Sequence, residues 1–310
     1  MINKKDNSEI LKTYNLDEAH FLGKGQEADV YLYDHDNVLK IYNSRIKKEK
    51  LEILNHFYQS IDNSTVRFEL PQIHKIIEEE NTVVTIEKRI VGKNIQKQLS
   101  DYDDAKLDEF MRQYLSIVLE LKNIKFKSAF EGYKLFKDYD LSHSKTNDWN
   151  DFLRNYLIEK QKEVKDFLSK DVVNYEYKYA KLIELLSNEY RGDYSLIHGD
   201  FYPANLLVKE NGVINGVIDF GMMTMYGDYL FDVALSWTLF DLYDELGTKL
   251  DRYLNLIITK LGEEVRSKIY LYALYYAIYS ANFYSKDCSD GHYGWSVRIL
   301  NNEMYWNGLD

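Results

Sequence analysis

The sequence predicts an α+β fold in two parts: a small antiparallel sheet with one helix over residues 1–91, and a larger, mainly helical part over residues 92–310. Three observations predict it. Up to Ile90 the apolar residues come in short β-branched and aromatic runs broken by Gly and Asp/Asn turns. After Gly92 they recur at a helical period. A chain of 310 residues, 45% hydrophobic, is also long enough for two lobes with sizeable cores.

Composition narrows the class of protein. The opening MINKKDNSEILKTYNLDEAH is charged and has no apolar run of signal-peptide length, and no later stretch offers the roughly eighteen consecutive apolar residues of a membrane span. A cytoplasmic, monomeric protein with no membrane partner is expected. The single cysteine, Cys288, can form no internal disulfide and no cysteine-based zinc site. With 50 acidic against 39 basic residues the formal charge is −11, a field that repels nucleic acid and anionic lipid. Only Pro71 and Pro203 occur, and no Gly/Ser-rich or Pro-rich linker divides the chain. The 28 tyrosines offer stacking platforms, but abundant Lys, Asn, Ile and Tyr are equally what an AT-rich genome writes.

From Ala19 to Asn43, AHFLGKGQEADVYLYDHDNVLKIYN reads as antiparallel hairpins. Gly23, Gly25, Gln26 and Ala28 lie in the turn between the first two runs, where glycines let a backbone approach a triphosphate and present its N–H groups. Such a motif alone equally describes an ordinary hairpin turn. Lys40, fifteen residues after Gly25 in Val38-Leu39-Lys40-Ile41-Tyr42, is placed to act as a point charge on phosphates. Residues 45–59 put Ile46, Ile53, Leu54 and Phe57 at helical spacing, with Glu49 and Glu52 on the same helix; Glu49 is the expected partner of Lys40. Strands are expected over Val66–Pro71 with Ile73–Glu78, and over Thr82–Ile90. The helical part opens with segments at Ala105–Leu121, Trp149–Leu168 and Tyr175–Glu189, followed by a buried strand at Ser195–His198 and a hairpin from Asn205–Val208 to Val213–Phe220.

The chemistry is concentrated in that hairpin region. His198-Gly199-Asp200-Phe201-Tyr202-Pro203-Ala204-Asn205 is followed, fourteen residues after the Asn, by Asp219-Phe220-Gly221. An Asp, an Asn five residues on and a second Asp opening DFG are the parts that orient a hydroxyl and hold magnesium against a nucleoside triphosphate. Asp200 is then the orienting base, Asn205 and Asp219 the hard oxygen ligands of Mg²⁺, and His198 a structural hydrogen-bonding group. In such a site the backbone near Glu87 to Ile90, Arg89 included, would hydrogen-bond an adenine edge, the nucleotide being ATP or GTP.

Read together, HGDFYPANLLV, the hairpin to VIDFG and the following GDYLFDVA resemble the aminoglycoside phosphotransferase and choline kinase-like superfamily, from about Phe21 to the carboxyl-terminal helices. The resemblance implies a bilobal protein-kinase-like fold, a nucleotide between the lobes and a small hydroxylated substrate over the helical lobe. HGD stands where eukaryotic protein kinases have HRD, and no long activation segment or APE follows Asp219. The resemblance also implies that Asp228 lies near the active-site turn and that Asp232 anchors the following helix; a structural role is the favoured reading for both, with a substrate contact the alternative for Asp228. Residues 191–310 hold 16 Asp or Glu against nine Lys or Arg, a balance that favours a polycationic ligand, with Asp241, Asp244, Glu245, Asp287 and Asp290 as candidate amine partners. Each is also an ordinary solvated charge in its own right. The last hundred residues are similar to the hygromycin-type branch.

The expected activity is phosphoryl transfer from ATP or GTP, with Mg²⁺, to a hydroxyl of a small cationic molecule, an aminoglycoside first. Metabolic kinases acting on choline, ethanolamine, homoserine, a methylthio-sugar or a macrolide would carry the same motif. A silent nucleotide-binding module would have lost Lys40, Asp200 or Asp219, and all three are present.

Overall fold

A helix, α1 (Ser8–Thr13), precedes strands β1 (Phe21–Lys24), β2 (Ala28–Leu32) and β3 (Asn37–Tyr42); helix α2 (Lys48–Ser60) and the short β4 (Ile61–Asp62) follow, then β5 (Ile73–Glu79) and β6 (Thr82–Lys88). The structure is a computed structural model that describes residues 7–25, 27–43, 45–79, 82–127, 148–221, 223–242 and 246–309. The five longer strands form one sheet in the order β1-β2-β3-β6-β5, antiparallel throughout. Alternation along the strands gives the sheet two apolar faces. One face gathers Leu39, Ile41, Val84 and Ile86 with Leu11 of α1, and the other gathers Tyr42 and Val83 with Leu51 of α2.

The expected strand at Val66–Pro71 does not join this sheet. Pro71 has no N–H to give a ladder. Glu69 instead makes a single bridge to Gly216, donating its N–H to Asn215 O at 2.7 Å and accepting from Val217 N at 3.1 Å.

The remaining elements are α3 (Asp104–Leu121), β7 (Lys125–Phe126), α4 (Trp149–Asp171), α5 (Tyr175–Leu185), β8 (Ser195–Ile197), β9 (Leu206–Val208), β10 (Ile214–Val217), β11 (Met225–Gly227), α6 (Tyr229–Thr238), α7 (Lys249–Leu261), α8 (Arg266–Tyr279), α9 (Gly291–Asn301) and α10 (Glu303–Asn307). Helix α6 is buried along its whole length after Tyr229, as is α8 from Ile269 onward apart from Leu271. Trp149, Phe231, Tyr272 and Tyr275 pack edge to face around them. The tyrosines of α8 are therefore core residues first.

The described residues fall into two compact units. One contains the chain up to Lys93, strand β7 and the segment Leu207–Ile218; the other contains Asn94–Ile124, the described residues from 148 to Leu206, and the chain from Asp219 onward. A single cut between residues 91 and 92 assigns Leu207–Ile218 to the larger part, whereas the structure packs it with the smaller. Hydrogen bonds explain why: Lys93 and Val208 exchange N–H to O bonds of 2.9 and 3.0 Å, and Asn215 Nδ2 donates to Glu69 Oε1 and Val91 O. No helix among the described residues is long and apolar enough to cross a membrane.

Candidate active site

In the smaller unit, β1 and β2 bring the glycine turn to one end of the sheet. Gly23 pairs with Val30, and Gly25 donates its N–H to Ala28 O at 2.8 Å, closing the turn on Ala28. Neither Gly23 nor Gly25 has a positive φ, and a Cβ added to either meets no clash. Gln26 lies outside the described residues.

Lys40 is half-buried on β3, and its Nζ lies 2.8 Å from Glu87 Oε2 on β6. This corrects the expectation for Glu49, which is exposed on α2 and is not the partner of Lys40. The reason is register. Lys40 stands opposite Thr85, so Glu87, two residues on and on the same face, lies within diagonal reach of a long side chain. Glu87 is 3% exposed, and its Oε1 also accepts from Thr85 Oγ1 at 2.7 Å and Tyr42 Oη at 3.1 Å. Burial, together with the charge of Glu87, pushes the Tyr42 hydroxyl pKa well up, so it stays a donor. The Glu87 side chain thus aims Lys40. Arg89 donates its N–H to Asp36 O at 2.7 Å and its Nη1 to His35 O at 3.2 Å.

In the larger unit, β8 delivers the chain into a buried turn. Asp232 on α6 holds that turn from beneath, its Oδ2 accepting from His198 N at 2.6 Å and its Oδ1 from Gly199 N at 2.8 Å. Gly199 has φ +78, and a Cβ there would sit 2.4 Å from the Met223 carbonyl oxygen. Only glycine fits. The His198 ring is fully buried, accepts the Asp200 N–H on Nδ1 at 3.3 Å and packs 4.5 Å from the Phe220 ring, the structural part expected of it. Thr224 ties the DFG segment to the turn by donating to His198 O at 2.9 Å and accepting from Gly221 N at 2.7 Å.

Asp200 emerges from this turn with its carboxylate held by two neighbours. Tyr276 Oη of α8 donates to Oδ1 at 3.2 Å, and Asn205 Nδ2 donates to the Asp200 carbonyl at 2.8 Å and to Oδ2 at 3.4 Å. Burial pushes the Asp200 pKa up to about 6, the two hydrogen bonds oppose the rise, and the charge of Asp219 adds to it. Burial likewise raises Asp232, to about 7, against its two backbone donors. Asp219 is exposed and occupies the left-handed region at φ +63, a conformation Asp tolerates better than most residues. Among the described residues no group of three or more His, Cys, Asp or Glu is gathered as a metal site. Asn205 and Asp219 nevertheless offer an amide oxygen and a carboxylate, and the bonds from Asn205 Nδ2 fix which end of the amide is oxygen.

The candidate substrate acids fare differently. Asp228 is 2% exposed with both oxygens engaged: Oδ1 caps α6 through Leu230 N at 3.0 Å, while Oδ2 meets Tyr272 Oη at 2.8 Å and Lys268 Nζ at 3.0 Å. These contacts fit the structural role favoured for it. Asp241 accepts from Leu246 N at 2.9 Å. Asp287 accepts from Ser289 Oγ and Ser285 Oγ, and Asp290 caps α9 through Tyr293 N. Asp244 and Glu245 lie outside the described residues. Two contacts escape sequence reasoning, Glu87 on Lys40 and Tyr276 on Asp200. Strand pairing is the signal for the first; the second joins residues 76 positions apart and leaves none.

No curated protein matches the chain. Among solved structures, the gentamicin complex of APH(2")-IIa is similar over 100% of this chain and 97% of its own at 20% identity and TM-score 0.56. The GDP complex of wild-type aminoglycoside 2'-phosphotransferase-IIIa covers 93% and 92% at 16% identity and TM-score 0.59. APH(3'')-Id from Streptomyces rimosus ATCC10970, in complex with ADP and streptomycin, covers 86% and 95% at 12% identity and TM-score 0.53. These likenesses establish a shared fold, the kinase-like fold of aminoglycoside phosphotransferases. Residues 18–256, which span the glycine turn, Lys40, the Asp200 turn and Asp219, match the phosphotransferase enzyme family. On that match over most of its length, the chain belongs to the phosphotransferase enzyme family.

Proposed function

We propose that the protein transfers the γ-phosphoryl group of ATP or GTP to a hydroxyl of a small, hydroxylated cation, with an aminoglycoside the first choice and antibiotic resistance by modification the consequence. One observation carries the reading: in a member of a phosphotransferase family, the Asp200 carboxylate leaves a rigid turn with its orientation set by Tyr276 and Asn205. The hydroxyl oxygen bonds to the γ-phosphorus as the bond to the β–γ bridging oxygen breaks, and the nucleoside diphosphate leaves with that electron pair. The hydroxyl proton passes to Asp200, whose raised pKa makes it a better base than an ordinary carboxylate while leaving it ionised at neutral pH. Positioning contributes more than deprotonation, because the transition state is loose.

Asn205 and Asp219 would hold Mg²⁺. Two protein ligands suffice for an ion that keeps waters and phosphate oxygens, and when bound it supplies charge neutralisation at the phosphates. Lys40, aimed by Glu87, is the point charge for the phosphates, and the Gly23–Gly25 turn offers N–H groups to them. The acidic excess after residue 191 and the aminoglycosides bound by structurally similar enzymes support a cationic substrate. A cytoplasmic monomer is the setting we favour, in keeping with a lone cysteine that has no disulfide partner.

The test is a turnover screen of purified protein with Mg-ATP and Mg-GTP against gentamicin, kanamycin and streptomycin, beside choline, ethanolamine, homoserine, a methylthio-sugar and a macrolide. The expected result is a higher kcat/KM for at least one aminoglycoside than for any other acceptor. A metabolite or macrolide ahead of all three would replace the substrate. In parallel, Asp200→Asn is expected to keep nucleotide binding while turnover falls by orders of magnitude, and full activity in that variant would remove Asp200 from the mechanism.

A further inference from the structure

Helix α8 contributes a residue that no motif marks. We infer that Tyr276 is a positioning residue for phosphoryl transfer, its hydroxyl fixing Oδ1 of Asp200 so that the rest of the carboxylate is held ready for the acceptor hydroxyl. This rests on the reading of Asp200 given above. The hydroxyl donates to Asp200 Oδ1 at 3.2 Å, and the ring is clamped by Phe231, Phe283 and Trp295 at centroid distances of 6.3–6.4 Å, edge to face in each case. Ser280 fixes the backbone there by donating to Tyr276 O at 2.7 Å.

The turn itself leaves Asp200 short of side-chain donors. Asn205 Nδ2 reaches Oδ2 at only 3.4 Å, its better bond going to the Asp200 carbonyl at 2.8 Å. Asp232 and Thr224 hold the backbone of the turn and do not touch the carboxylate. Tyr276 therefore makes the shorter of the two side-chain bonds to the carboxylate itself among the described residues. Being buried beside Asp200, the phenol stays protonated and remains a donor. A carboxylate held by a neutral donor keeps its charge for the acceptor proton, whereas a lysine in the same place would quench it.

The helix provides an internal control. Tyr275, adjacent and equally buried, has a hydroxyl with no hydrogen-bond partner among the described residues. Tyr276→Phe keeps the ring and its packing and removes only the donor. It is expected to lower kcat about ten-fold or more, the worth of one hydrogen bond to a charged group, while nucleotide KM and the melting temperature stay near wild type and Tyr275→Phe leaves kcat unchanged. In an Asp200→Asn background, Tyr276→Phe should cost less than two-fold, because the group it acts through is gone. Wild-type kcat in Tyr276→Phe, an equal loss in Tyr275→Phe, or a loss undiminished by Asp200→Asn would overturn the assignment.

If no acceptor turns over in the wild type, the functional reading fails on its own account. Crystal structures of wild type and Tyr276→Phe then decide the positioning claim alone. An Asp200 carboxylate displaced by more than about 0.5 Å in the variant, the tolerance of a preorganised site, supports it, and an unmoved carboxylate refutes it.

Discussion

At the scale of single residues, the placement of Lys40 separates this protein from the arrangement in which a helix carries the anchoring carboxylate. The partner here is Glu87 from the neighbouring strand, itself fixed by Thr85 and Tyr42, so a carboxylate of the sheet helps to set the ammonium. Glu87→Gln should therefore lower turnover about ten-fold, since small misplacements of a phosphate-binding group are costly, while Glu49→Gln stays within two-fold of wild type. Equal losses in steady-state assays of the two variants would contradict the register argument. The glycine turn gives a second test. Because a Cβ on Gly25 would make only an ordinary 3.6 Å contact with Ala28 O, Gly25→Ala should leave stability within about 1 kcal/mol of wild type. Weaker Mg-ADP binding in calorimetry would then report on a ligand approaching the backbone, and unchanged affinity would leave the turn a plain hairpin.

At the scale of elements, the turn between β8 and β9 holds a backbone position that resists substitution. Gly199 combines a positive φ with a close approach to Met223, whereas Gly212, in the β9–β10 hairpin at φ +80, has open space around its missing Cβ. The pair separates two costs. Gly212→Ala should lose about 1 kcal/mol, the backbone penalty alone, and Gly199→Ala about 3 kcal/mol or more because the clash adds to it; urea titrations of both variants measure the difference. Elements whose evidence is local were legible in the sequence. Helix α3 was expected from Ala105 to Leu121 and runs from Asp104 to Leu121, and α4 starts at Trp149 as periodicity indicates. What could not be read depends on contacts remote in sequence: Val66–Pro71 looks like a strand until its pairing among the described residues proves to be one bridge to Gly216, and the partners that close on Asp228, Tyr272 and Lys268, lie 40 or more positions away. The HGD, Asn and DFG positions were legible because the chemistry fixes residue types at short spacings. Tyr276 and Glu87 were not, because any donor or carboxylate the fold brings near would serve.

At the scale of the whole molecule, buried ionisable groups make stability depend on pH in opposing directions. Burial raises Asp200 to about 6 and Asp232 to about 7, so their contributions are fully present below the ordinary carboxylate pKa and are lost as pH rises through those values. His292 runs the other way. Its Nε2 lies 2.8 Å from Ser280 Oγ, whose own proton goes to Tyr276 O, so Nε2 carries the hydrogen and a second proton must enter at Nδ1, which is buried without a partner among the described residues. Desolvation accordingly depresses the pKa to about 4, with Asp290 opposing and the Trp295 and Tyr284 rings covering the imidazole. A depressed histidine contributes stability that is present above its ordinary pKa of 6.5 and lost as pH falls through 4. Between pH 7.5 and pH 4.5 that loss amounts to about 2 kcal/mol for a shift of this size. In His292→Gln, which cannot take up the proton, the fall in unfolding free energy over the same interval should be smaller by about that amount. Urea titrations at the two pH values check it, and parallel curves for variant and wild type would mean that His292 is as free to ionise in the folded chain as in the unfolded one.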